Sequence, residues 1–235
     1  MSMSTTDASR EPGMLYQRNA MEHRPTRTEP ARLEPSYATA LLQRQEALQA
    51  EAQTVLADLD LMALLARAGQ PVLVGSATLG LMTWRDIDVE VYCDPLSADR
   101  AFEAMRPLAS HPGITKLRFA NWHGPFATAA LPNGFYWGIR YHIDPEREWK
   151  IDVWFLPDDA PRPGMALTHA IPQRLTPERR LAILWIKDVW HRLPVYRHWV
   201  LSVDIYDAVL EQGVQTPAEF DAYLRARGKP ARELQ

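Results

Sequence analysis

The period of the hydrophobic positions changes several times along this chain, and each change marks an element. Residues 1–35 show no apolar period. They are polar, mixed in charge and broken by Pro12, Pro25, Pro30 and Pro35, which predicts a disordered tail. From Ser36, read as an N-cap, Leu41, Leu48, Val55 and Met62 recur every seven residues, or two helical turns. They form one stripe of a long helix that Gly69 stops. Such a stripe serves either a coiled-coil dimer seam or packing on the chain's own domain, and the weak companion positions Gln45 and Ala52 favour the second. Pro71-Val-Leu-Val74 is a short apolar run of the buried-strand kind. Over residues 86–92 the period falls to two, with Ile87, Val89 and Val91 facing one way and Asp86, Asp88 and Glu90 the other. Ser97 caps a helix running to about residue 109. Strands are predicted around 115–121, 134–142 and 148–156, the last two joined as a hairpin by Asp144-Pro-Glu-Arg147.

Pro161, Pro163, Gly164 and Pro172 then mark a linker, after which the pattern is helical. Thr176-Pro177-Glu178 reads as an N-cap, a first-position proline and an acid that complements the helix dipole. The helix it opens, to about His191, is apolar nearly all round and is therefore predicted to be buried. A second helix ends near Gly213, and a third runs from the capping box at Thr216 and Glu219 to Gly228. The fold class is α/β of the α+β kind: a small mixed sheet with flanking helices over 36–160, a proline-rich linker over 161–175 and a helical domain over 176–235.

Composition narrows the functional classes. Twenty-six Lys and Arg against 29 Asp and Glu give a net charge of −3, which argues against a dedicated nucleic-acid binder but leaves room for a local basic groove. The single cysteine, Cys93, excludes an internal disulfide. No apolar run approaches the length of a membrane span, and the first residues lack the apolar core of a signal peptide, so a cytoplasmic protein that avoids the membrane is expected. Neither a Walker-type Gly-x-x-x-x-Gly-Lys nor a Gly-x-Ser-x-Gly motif is present, and the histidines lack zinc-ligand spacing.

The informative segment is Val74-Gly75-Ser76, nine residues, then Asp86-Ile87-Asp88-Val89. Acids are depleted in strands, yet Asp86, Asp88 and Glu90 line one face of a strand whose other face is apolar. Asp152 likewise sits between Ile151 and Val153 within an apolar strand. If these strands are neighbours, three carboxylates converge. Two unit charges about 5 Å apart repel by roughly 3 kcal/mol at an effective dielectric near 20. Mg²⁺ or Mn²⁺, which favour carboxylate oxygens, are the natural compensators. A glycine closing a strand before a small hydroxyl residue lets a phosphate approach backbone N–H groups.

This pattern resembles the nucleotidyltransferase superfamily with the DNA-polymerase-β-like fold, and is most similar to its small bacterial antibiotic and minimal members. Gly80 matches a further glycine of the motif, while Leu79 and Arg85 depart from the usual arginine and small residue. The resemblance implies that Asp86, Asp88 and Asp152 are catalytic and hold two Mg²⁺ (or Mn²⁺) ions, and that Asp152 is the general base or a ligand of the second metal. It also implies that Gly75 and Ser76 contact the triphosphate. Lys187, the lysine of the apolar helix, is either a snorkelling side chain or a further triphosphate ligand. The expected reaction moves a nucleoside monophosphate from a triphosphate to an acceptor hydroxyl. Given the net charge, that acceptor is expected to be a small molecule rather than nucleic acid. The rivals are a toxin-type enzyme acting on protein or a tRNA end, a nucleotide- or partner-binding protein without chemistry, and a carboxylate-pair hydrolase. A homodimer is compatible with all of them.

Overall fold

A computed structural model describes residues 33–128 and 131–232. The predicted tail lies outside the described residues except for its last three positions. There Glu34 is the N-cap and Pro35 the first residue of α1 (Pro35–Asp58), a position where the missing N–H costs nothing. The long helix predicted to reach Gly69 is in fact two. Asp60 takes a left-handed φ of 45°, and α2 (Leu61–Leu65) starts in a new direction. Residues two apart point roughly 200° apart on one helix. The break lets Leu59 and Leu61 enter the same core. The stripe of Leu41, Leu48 and Val55, with Gln45 and Ala52, is buried within the chain itself.

Next come β1 (Gln70–Val74), the single-turn α3 (Ser76–Leu79), β2 (Asp86–Cys93) and α4 (Ala98–Met105), whose N-cap Ser97 accepts from the Arg100 N–H. The helix predicted to run to residue 109 tightens to a 3-10 turn over Arg106–Ser110, where Pro107 has no N–H to continue the α pattern. Strands β3 (Ile114–Asn121), β4 (Phe135–Asp144) and β5 (Arg147–Pro157) follow, the last two joined by the expected turn. The sheet order is β1-β2-β5-β4-β3, antiparallel throughout except that β2 and β5 run parallel.

Period-two alternation gives this sheet two different faces. Ile87, Val89, Val91, Ile151, Val153 and Phe155 form a dry core with α1, α2 and α4. The other face carries Asp86, Asp88, Lys150 and Asp152. The stretch read as a linker holds a helix, α5 (Pro163–Ala170), with Pro163 in the first turn. A second core joins α6 (Pro177–Trp190), α7 (Ser202–Gln212) and α8 (Pro217–Ala226) to Leu79 and Leu81, which follow the turn after β1. The buried Asp188 of α6 accepts from the Tyr37 hydroxyl (2.5 Å), Arg44 (2.5 Å) and Arg192 (3.2 Å), tying α1 to α6. No described helix is long and apolar enough to cross a membrane.

Candidate active site

The parallel pairing of β2 with β5 sets Asp88 beside Asp152 and Asp86 beside Lys150. Asp86 and Asp88 share a face because they are two residues apart on a strand, and register brings Asp152 onto the same face. One oxygen from each of the three carboxylates lies within 4.8 Å of the others. The convergence expected from the sequence is therefore present.

The three acids differ in their partners. Asp86 is buried, and its Oδ2 accepts from Trp84 Nε1 (3.1 Å) and Arg197 (3.3 Å) while its Oδ1 accepts from Lys150 Nζ (3.2 Å). Asp152 accepts from the Tyr136 hydroxyl (2.8 Å) and, through its other oxygen, from the same Lys150 Nζ. Asp88 accepts no hydrogen bond from any described residue. Burial, and then the charges of Asp86 and Asp152, push its pKa up to about 8. Burial pulls the Lys150 ammonium down, but Asp86 and Asp152 outweigh it and hold the group above its ordinary value. Burial and Asp152 also push the Tyr136 hydroxyl up, so it stays a donor.

Gly75 lies against this cluster. Its φ of +74° and ψ of −157° are open essentially to glycine alone, and a Cβ there would stand 2.7 Å from Asp88 Oδ2. Ser76 is buried at the start of α3. Both follow the end of β1, which pairs with β2 so that Val74 lies opposite Asp88. Lys187 behaves differently from the snorkelling side chain considered above. It is fully buried, and its Nζ donates to the Leu81 carbonyl (2.7 Å) and lies 4.8 Å from the Trp84 ring centre. Burial draws its pKa down to about 7, against the pull of Asp86 and Asp88. Glu90, on the same face, is taken up by the Tyr92 hydroxyl (2.5 Å).

Sequence reasoning missed four neighbours of the triad. Lys150 was legible in principle, since it stands two residues before Asp152 and so shares its face. Tyr136 needed the register of β4 on β5. Arg197 comes from a loop with a left-handed φ of 69°, and Trp84 stacks on His191 at 5.2 Å; neither carries a local signal.

The donor set fits a hard divalent cation: three carboxylates from two rigid strands, one of them with no hydrogen-bond donor. Asp86, Asp88 and Asp152 are the residues able to hold Mg²⁺ or Mn²⁺.

No protein-family model matches the sequence, and no curated protein does. Solved structures do share the fold. One is Cid1, described for its RNA terminal uridylyl transferase activity, with a TM-score of 0.50 and 15% identity over 75% of this chain and 52% of that one. A cytoplasmic RNA terminal U-transferase matches with a TM-score of 0.48 and 17% identity over 73% and 51%. The chain spans about half the length of these structures. At this identity the likeness shows the fold alone, a mixed five-stranded sheet flanked by helices.

Proposed function

We propose that the chain is a metal-dependent nucleotidyltransferase. The observation that carries this reading is the convergence of Asp86, Asp88 and Asp152 beside the Gly75 turn. In the proposed reaction an acceptor hydroxyl oxygen bonds to the α-phosphorus of a nucleoside triphosphate, the bond from that phosphorus to the bridging oxygen breaks, and pyrophosphate leaves. Asp152 takes the hydroxyl proton, and the Tyr136 hydroxyl holds its carboxylate in place. Bound divalent metal supplies charge neutralisation for the phosphates. Gly75 and Ser76 cradle the leaving end on the β1 side, and Lys187 lends positive charge from beneath.

In-line displacement sets the attacking and leaving oxygens on opposite sides of the phosphorus. With the leaving end at β1, the acceptor approaches over β4 and β3. That face presents the exposed Lys116 and Arg118, then Arg140, Tyr136 and Trp154, the last two with ring centres 5.1 Å apart. Arg118 is two strands from Asp152, or roughly 10 Å. A basic strip beside aromatic rings suits a single-stranded nucleic acid, and Cid1 itself is described as acting on RNA. The small-molecule acceptor was inferred from the net charge alone, and this local strip favours the polyanion.

The test is pyrophosphate release with Mg²⁺ and each of the four triphosphates, with a single-stranded oligonucleotide whose 3′ end is free or blocked. Release with the free end, lowered at least about 10²-fold by Asp88→Asn, is expected. Release only with a metabolite pool would keep nucleotidyl transfer and remove the nucleic-acid acceptor. No release, together with no shift in Tm on adding Mg²⁺ and triphosphate, would refute the reading.

A further inference from the structure

Lys150 stands where a bridging cation would. Its Nζ donates to Asp86 and to Asp152, two of the three candidate metal ligands, from a side chain that is 21% exposed. Arg197 also reaches Asp86, but it touches that carboxylate alone and projects from a loop with its side chain 43% exposed. An ammonium and a divalent ion cannot share the same carboxylate oxygens at close range, because like charges repel strongly in a partly buried site.

We propose that Lys150 is a built-in counter-ion that divalent metal has to displace, and that this displacement makes metal and triphosphate bind cooperatively. The proposal rests on the nucleotidyltransferase reading and adds a regulatory coupling to it. The surroundings of Lys150 decide where the ammonium goes. Across the sheet its row continues through Arg140 to Lys116, both cationic. Glu148, two residues before Lys150 on the same strand face, is already held by Arg140 (3.3 Å) and His142 (3.2 Å). Once moved off Asp86 and Asp152, with Asp88 also engaged by the metal, Lys150 finds no free carboxylate along its row, and the phosphates of a bound substrate are the anions left to it. A triphosphate that takes Lys150 therefore opens the carboxylates to metal. Metal that frees Lys150 in turn provides a cation for the triphosphate. Linkage requires each ligand to raise the other's affinity by the same factor. Without nucleotide the lysine keeps the three acids compatible with one another and holds metal affinity low.

Mn²⁺ binding tests this without any turnover. Free Mn²⁺ is followed by its paramagnetic resonance signal in titrations of the parent, Lys150→Met and Lys150→Arg, each first shown to fold by circular dichroism and melting. Without nucleotide, Lys150→Met is expected to bind Mn²⁺ at least about tenfold more tightly than the parent, while Lys150→Arg stays within about threefold of it. Mn²⁺ should also raise the affinity for a non-hydrolysable triphosphate by a larger factor in the parent than in Lys150→Met. If Lys150→Met does not fold, Lys150→Gln carries the same comparison. Unchanged or weaker Mn²⁺ binding by the neutral variant, in a parent that does bind Mn²⁺ and triphosphate, overturns the counter-ion proposal and leaves nucleotidyl transfer standing. A parent that binds neither ligand removes both.

Discussion

At Asp88 a carboxylate without a hydrogen-bond donor sits beside two other acids, and its pKa rises from 3.8 to about 8. A carboxyl with a raised folded pKa contributes stability that is fully present below its unfolded pKa and is lost as pH rises through the folded value. The metal-free protein should therefore lose stability between about pH 4 and pH 8, and Asp88→Asn should not. In EDTA, melting temperatures across that range should move steadily in favour of the variant. Excess Mg²⁺ and triphosphate should then raise the parent more than the variant. A variant melting well below the parent at every pH in EDTA would make Asp88 a structural residue. The rule behind the expectation is that removing a buried hydrogen-bonding group leaves its partners unpaired, at about 1–3 kcal/mol, and Asp88 has no such partner to strand.

Among the elements, the turn from β1 into α3 allows the least substitution. Gly75→Ala puts a methyl group into a backbone region closed to other residues and against Asp88 Oδ2. It should lower stability by about 1–3 kcal/mol, read from urea unfolding, and should weaken Mn²⁺ binding by pushing Asp88 aside. A variant with parental stability and metal affinity would detach this turn from the carboxylates. The same turn illustrates what the sequence reveals. Strand β2 is legible because one buried face forces strict alternation, so the sequence alone assigns Asp86 and Asp88 to a common face. The Gly75–Ser76 turn was legible from its place after an apolar run. The break at Asp60 was not, since the apolar stripe continues through Met62 and only packing of Leu59 and Leu61 into one core distinguishes two helices from one. Helix α5 was hidden because proline marks a helix start as readily as a linker. Lys187 was placed correctly on an apolar helix, but its full burial beneath the site depends on the Leu81 carbonyl, which lies 106 residues away in sequence. Lys150 shows the limit of pattern reading: alternation gives its face, and only strand register gives its partners.

For the molecule as a whole, Asp188 is the joint between α1 and α6. Burial alone would raise its pKa, but the Tyr37 hydroxyl, Arg44 and Arg192 hold it below the ordinary value. A lowered carboxyl contributes stability above its unfolded pKa of 3.8 and loses it as pH falls through the folded one. Asp188→Asn should cost about 1–3 kcal/mol at neutral pH, because the hydroxyl and guanidinium groups lose a charged acceptor. The gap between variant and parent should close as pH drops below 3.8, where the parent also protonates. Urea unfolding at neutral and acid pH measures both. A gap that persists unchanged in acid would mean that shape, and not charge, makes the joint.

The parallel seam between β2 and β5 also bears on how the chain reaches its native state. Strands β3, β4 and β5 are sequential neighbours and can pair through short closures, whereas β2 meets β5 across an interval of 64 residues between Asp86 and Lys150. Closures of that length are slow relative to hairpin formation. The meander is therefore expected to form ahead of the seam, with Asp152 and Lys150 on a formed hairpin before Asp86 and Asp88 reach them; a stopped-flow folding rate that falls as much for a β2–β5 seam variant as for a β4–β5 variant would count against this order. On that order the acids confront one another only when the seam closes. Changes in their mutual repulsion then act on the escape rate from the native state far more than on the rate of reaching it.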